Sequence, residues 1–248
     1  MNIRKNYLTI SAMVMIYYLL VSGGFLLLSY FGIYYNGSKI HIYAIPMMLV
    51  ISLYVYLING KRIFKKDDFV SKKENLLLYL VPYIAVSSVF LSIIETIITR
   101  RSLPDILYTA VLTFLIGISE EGMFRLFILK NCGYSSKKKI LLFIFSVFAF
   151  GALHMLNVAG GLTFRDAVLQ SINAIPFGLV AGFLFYRTGN ISSMVFWHMF
   201  FDYDLFTERQ GIYVTTTVLS FAVDFIIIVS LIWSVIQMAA ELRRKKKQ

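Results

Sequence analysis

Long apolar runs, broken by short polar stretches rich in lysine and arginine, dominate the chain. Taking about 20 consecutive apolar residues as one membrane crossing, the runs predict about eight transmembrane helices. These are Tyr7–Tyr30, Ile40–Ile58, Leu76–Ile98, Asp105–Leu129, Ile140–Leu156, Ala167–Tyr186, Ile191–Phe206 and Val214–Met238. The expected fold class is an all-α polytopic membrane protein, with residues 1–248 forming a single integral-membrane domain. The run Tyr7–Tyr30 is too long for the apolar core of a signal peptide and lacks a small-x-small cleavage site, so it reads as an uncleaved first helix. Pro46, Pro82 and Pro176 fall inside predicted spans, where a missing N–H and a ring clash favour kinks.

Composition strengthens this picture. Of the 248 residues 58% are hydrophobic and only 15% charged, well outside the soluble globular range. The net charge of +11 would suit nucleic acid, but the basic residues sit in short loops between apolar runs and at the C-terminus, so the partner is a lipid bilayer. With the N-terminus in the cytoplasm, eighteen lysines and arginines fall on the cytoplasmic side and five outside. That places both termini in the cytoplasm of a multi-pass cell-membrane protein. Cys132 is alone, which excludes a disulfide framework and a multi-cysteine metal site.

Against this apolar background a few ionisable residues stand at membrane depth. Ser119-Glu120-Glu121-Gly122-Met123-Phe124-Arg125 puts two carboxylates and an arginine in the fourth span. Each charge at the bilayer centre costs at least about 2.5–3.5 kcal/mol, so each needs a partner or a task. Glu121 and Arg125 are four apart with the acid first, the favourable order for an ion pair. Glu120 points about 100° away and is left to face something else. His154 lies in the fifth span, four residues after Phe150, and Gly151 and Ala152 beside it allow close approach of another helix. His198 and Asp202 share one face of the seventh span. Glu95 and Asp224 stand outside these groups, and His41 reads as an interfacial residue at the start of the second span.

Glu120, His154, His198 and Asp202 can therefore converge from three helices. A Glu with a His can activate a water as base and proton shuttle. The same four residues could instead ligate a divalent metal such as zinc, which would acidify a water and polarise a carbonyl. Both chemistries use the same side chains, and both permit amide hydrolysis.

The pattern resembles the family of CAAX prenyl endopeptidases and bacteriocin-processing intramembrane proteases. Its three ordered motifs, Glu-Glu-x-x-x-Arg, Phe-x-x-x-His and His-x-x-x-Asn/Asp, correspond to Glu120-Glu121…Arg125, Phe150…His154 and His198…Asp202. The resemblance covers a core of about residues 105–206. It implies that Glu120 and His154 activate the attacking water, and that His198 and Asp202 line the oxyanion or metal side. Glu121 and Arg125 are then structural support. It further implies an endopeptidase acting on a peptide or membrane-associated protein, as in bacterial peptide processing or bacteriocin self-immunity. Asp202 departs from the Asn of prenyl-protein endopeptidases, and an ionised carboxylate repels an oxyanion that an amide would stabilise. Two other classes fit a buried polar cluster: a non-catalytic membrane immunity or scaffold protein, and a proton-coupled transporter. The second is disfavoured by the lack of inverted repeats and paired interrupted helices.

Overall fold

The computed structural model of the protein describes residues 3–60, 103–130 and 136–208, together with Val229, Ile232 and Ile236. Among the described residues the fold is all-helical, without strands. Helix α1 covers Ile3–Tyr30, α2 Ile40–Tyr43, α3 Ile45–Asn59 and α4 Leu103–Glu121. The chain then widens into a π-helical segment, Gly122–Phe127, and closes with α5, Ile128–Lys130. Helix α6 spans Ser136–Leu153 and tightens into a 3₁₀ segment, His154–Gly160. Helices α7, Phe164–Thr188, and α8, Ile191–Glu208, complete the described bundle.

Among the described residues, three stretches are long and apolar enough to cross a membrane, Tyr7–Tyr30, Ile140–Gly160 and Phe164–Tyr186, and Ile45–Asn59 is a shorter apolar helix. The expected spans Leu76–Ile98 and Val214–Met238 lie outside the described residues, apart from the three exposed helical positions 229, 232 and 236. Glu95, Asp224 and Pro82 lie outside them too.

The departures from the expected spans have local causes. The second expected span is two helices, broken at Ala44 just before Pro46, which occupies the first turn of α3. Proline is tolerated there because a first-turn N–H has no helical partner to lose. Pro176, by contrast, lies within an uninterrupted α7. That helix starts where the Thr163 hydroxyl accepts from the Asp166 N–H, and stops at Gly189, whose φ of +61° suits a residue without a Cβ.

Each helix turns one face inward. On α1, Ile10, Val14, Tyr17, Val21, Phe25 and Leu28 recur every three or four residues and are buried. Leu8, Leu19 and Leu27 on the same helix are exposed, as are Leu53, Phe148 and Ile172 on others. An apolar exterior of this extent belongs in lipid. Helix α4 packs chiefly against α8 and α3, and α6 against α7. Small residues set these distances. A Cβ on Gly117 would stand 2.7 Å from the Val195 carbonyl oxygen of α8, and one on Gly151 would stand 2.8 Å from Ile175 Cγ1 of α7. Ala152, the neighbour of Gly151, is exposed.

Candidate active site

The π-helical segment after Glu121 is the first feature that shapes the site. A π turn shifts the backbone hydrogen-bond register, and in a membrane every displaced carbonyl needs a new donor. Two neighbours supply them. The Asn59 side-chain amide donates to the Gly122 carbonyl at 3.1 Å, and the Ser146 hydroxyl donates to the Phe124 carbonyl at 2.5 Å. Helices α3 and α6 thus hold the wide turn that carries Arg125.

Glu120, Glu121, Arg125 and His198 are all buried. Arg125 Nε lies 3.1 Å from Glu121 Oε2, at ion-pair distance though without hydrogen-bond alignment. Its Nη1 and Nη2 have no hydrogen-bond partner among the described residues. The guanidinium instead covers the Phe150 ring, with Cζ 4.1 Å from the centroid. A desolvated cation over an aromatic face is worth about 2 kcal/mol. Gly178 of α7 makes room for this stack: a Cβ there would meet Phe150 Cδ1 at 3.0 Å and Arg125 Nη2 at 3.6 Å.

His198 is held from two sides. Its Nδ1 lies 2.8 Å from Glu121 Oε1, so Nδ1–H donates to that carboxylate and Nε2 is turned to the opposite side. Nε2 stands 3.6 Å from Glu120 Oε2 and 3.6 Å from Asp202 Oδ2. These separations exceed a hydrogen bond and keep both carboxylates within reach of one nitrogen. The two adjacent glutamates therefore point apart, yet engage the same imidazole through different edges. Phe177 packs against the ring at 4.9 Å between centroids.

His154 enters where α6 gives way to the 3₁₀ segment. It meets Phe150 edge-on at 5.3 Å, and Phe150 meets His198 edge-on at 5.8 Å. Phe150 is thus the common neighbour of Arg125 and both histidines, which explains an aromatic four residues before His154. No hydrogen bond joins His154 to Glu120. Both line one cavity of about 460 Å³, together with His198 and Asp202. All four candidate residues are brought to that space, while Glu121 and Arg125 stand behind it.

Among the described residues, no three His, Cys, Asp or Glu side chains are gathered as a metal-holding group. His198 Nδ1 is already committed to Glu121, and Nε2 stands 3.6 Å from a carboxylate oxygen of both Glu120 and Asp202.

Two contributions went unread in the sequence. Glu121 orients His198 as well as pairing with Arg125; that contact joins helices 77 positions apart, beyond any local spacing rule. Tyr17 of α1 is fully buried, lines the cavity, stands edge-on to Phe124 and places its hydroxyl 3.4 Å from Ser119 Oγ. Its only sequence signal was a tyrosine on the buried stripe of α1, far from either end. His41 differs from expectation: it is buried, with Nε2 3.4 Å from Asp105 Oδ1 at the start of α4.

Neither a curated protein nor a solved structure matches the chain. Residues 102–203 match the family model described as type II CAAX prenyl endopeptidase Rce1-like. That segment contains all three motifs, from Glu120 to Asp202. Over it, the chain is similar to type II CAAX prenyl endopeptidases, the family whose motifs the three resemble.

Proposed function

We propose that the protein is an intramembrane endopeptidase that hydrolyses an amide with a water activated by Glu120. The observation that carries this reading is the convergence of Glu120, His154, His198 and Asp202 on one cavity inside a helical bundle. A substrate peptide enters the cavity as an extended segment. The Glu120 carboxylate takes a proton as water oxygen adds to the scissile carbonyl carbon, giving a tetrahedral oxyanion. When the carbon–nitrogen bond breaks, that proton passes to the departing nitrogen, directly or through an imidazole. His154, at the start of the 3₁₀ segment, serves as this shuttle. His198, fixed by Glu121, presents Nε2 between Glu120 and Asp202 and keeps protons moving among these three groups. The Tyr17 hydroxyl adds a neutral donor for the oxyanion, a task that an ionised Asp202 cannot perform.

The substrate is a peptide or a membrane-associated protein, consistent with a protease family acting in the membrane. Peptide processing or self-immunity in a bacterium is the role in which such an activity fits best. The test uses purified protein in detergent and a panel of prenylated and unprenylated peptides, with Glu120→Ala beside wild type and a strong chelator in parallel. Cleavage lost in Glu120→Ala and unaffected by chelation is the expected result. Loss on chelation with recovery on adding zinc would replace Glu-activated water with metal chemistry at the same residues. Cleavage that survives Glu120→Ala would overturn the mechanism.

A further inference from the structure

Among the described residues, the cavity lining extends from the polar cluster toward one end of the bundle. On α1 its lining runs from Tyr17 to Phe25, in the C-terminal half of the helix. On α7 it runs from Asp166 to Phe177, in the N-terminal half, and on α8 from His198 to Phe206, in the C-terminal half. Tyr35, before α2, and Asn157, in the 3₁₀ segment, complete the rim. This is the end at which α1, α6 and α8 finish and α3, α4 and α7 begin. Toward the other end the nearest lining residue, His198, is still about 10 Å along its helix from Ile191.

One side of the rim is a polar chain. Asn157 Nδ2 donates to Gln170 Oε1 at 2.8 Å, and Gln170 Nε2 donates to the Tyr35 hydroxyl at 2.8 Å. The Tyr35 N–H donates to the Gly160 carbonyl at 2.7 Å, tying the α1–α2 connection to the same corner. Asp166, Gln170, Asn173 and Phe177 recur along one stripe of α7, and all four line the cavity. Asp166 and Asn173 are exposed. This stripe offers amide, phenol and carboxylate partners to a polypeptide backbone, while the rest of the wall, with Met47, Met48, Leu112 and Phe206, is apolar and suits its side chains.

The charges at the two ends differ sharply. Adjoining the closed end in sequence are Lys61, Arg62, Lys65 and Lys66 after α3, Lys130 at the end of α5, and Lys137, Lys138 and Lys139 at the start of α6. At the rim end five basic residues adjoin the helices, Lys39, Arg100, Arg101, Arg165 and Arg209, and Asp105, Asp166 and Glu208 stand among them. Short basic loops are retained in the cytoplasm. We propose that the site is fed from the extracytoplasmic face: its substrate is a polypeptide segment presented on that side, passing Tyr35, Gln170 and Asn173 to reach Glu120. The substrate clause rests on the protease reading above; the side from which the cavity is reached does not.

The experiment separates the two. In a Cys132→Ser background, Asn173→Cys, Asp166→Cys and Lys138→Cys are each expressed in the membrane and treated with a membrane-impermeant maleimide in right-side-out and inverted vesicles. Asn173→Cys and Asp166→Cys are expected to label in right-side-out vesicles and to lose labelling in inverted ones, with Lys138→Cys showing the reverse. The rim variants labelling only in inverted vesicles, or being protected in both, would overturn the proposal; Asp166→Cys, at an exposed position, guards against a folding defect in Asn173→Cys. Peptide cleavage is measured on the same vesicles with wild type. Cleavage confined to right-side-out vesicles supports the proposal, and cleavage confined to inverted ones refutes it while leaving the protease reading intact. Outside labelling without cleavage in either orientation would sink the protease reading and keep the access side.

Discussion

Glu120 and Glu121 are adjacent and chemically identical, yet their removal should have opposite consequences. Glu121 has a fully buried side chain that serves both Arg125, itself fully buried, and His198 Nδ1. Glu121→Ala leaves a guanidinium inside the bundle with only the Phe150 face beneath it, and strips His198 of its orienting bond. Deleting one partner of a buried ion pair costs about 3–5 kcal/mol. For a chain of this size that lowers Tm by roughly 10 °C. Glu120 lines the cavity and makes no hydrogen bond at its 3.6 Å separation from His198. Glu120→Ala should therefore change stability by less than about 1 kcal/mol. It should still abolish cleavage, since a positioned base contributes about 10²–10⁴-fold. Thermal unfolding in detergent, paired with peptide cleavage on the same preparations, reads both quantities. A further variant, Glu121→Ala with Arg125→Met, removes the stranded charge and should recover part of the lost stability without restoring activity. Equal Tm losses in the two single variants, or a Glu121→Ala protein as stable as wild type, would refute this division of labour.

Three other outcomes follow from the same geometry. Tyr17→Phe keeps the buried ring and removes the hydroxyl; kcat should fall by about 10²–10³ if that hydroxyl stabilises the oxyanion, with Tm nearly unchanged, in steady-state cleavage assays. Asp202→Asn should retain cleavage, because an amide at that place can donate where the carboxylate repels, whereas Asp202→Ala should be measurably slower in the same assay. Gly178→Leu forces a side chain into the space that Phe150 and Arg125 occupy, and overpacking there should cost about 1–3 kcal/mol, read as a lower unfolding midpoint.

The sequence alone determined the environment and the parts. Runs of about 20 apolar residues can be stable only as helices in lipid, because a bilayer offers no water to satisfy a bare backbone. Charges in such runs are expensive, so Glu120, Glu121, Arg125, His154, His198 and Asp202 stood out without any coordinates. Helical angles also separated Glu120 from Glu121 and paired the latter with Arg125, a contact within one and a half turns. What tertiary structure decided lay between helices. Periodicity cannot reveal that Glu121 reaches His198, that Phe150 sits under Arg125, or that Tyr17 joins the cavity, since each contact crosses from one element to another. The π-helical segment escaped for a related reason: its wide turn is sustained by Asn59 and Ser146, donors supplied by other helices. Local sequence sets what a helix can bury; packing decides which partners meet there.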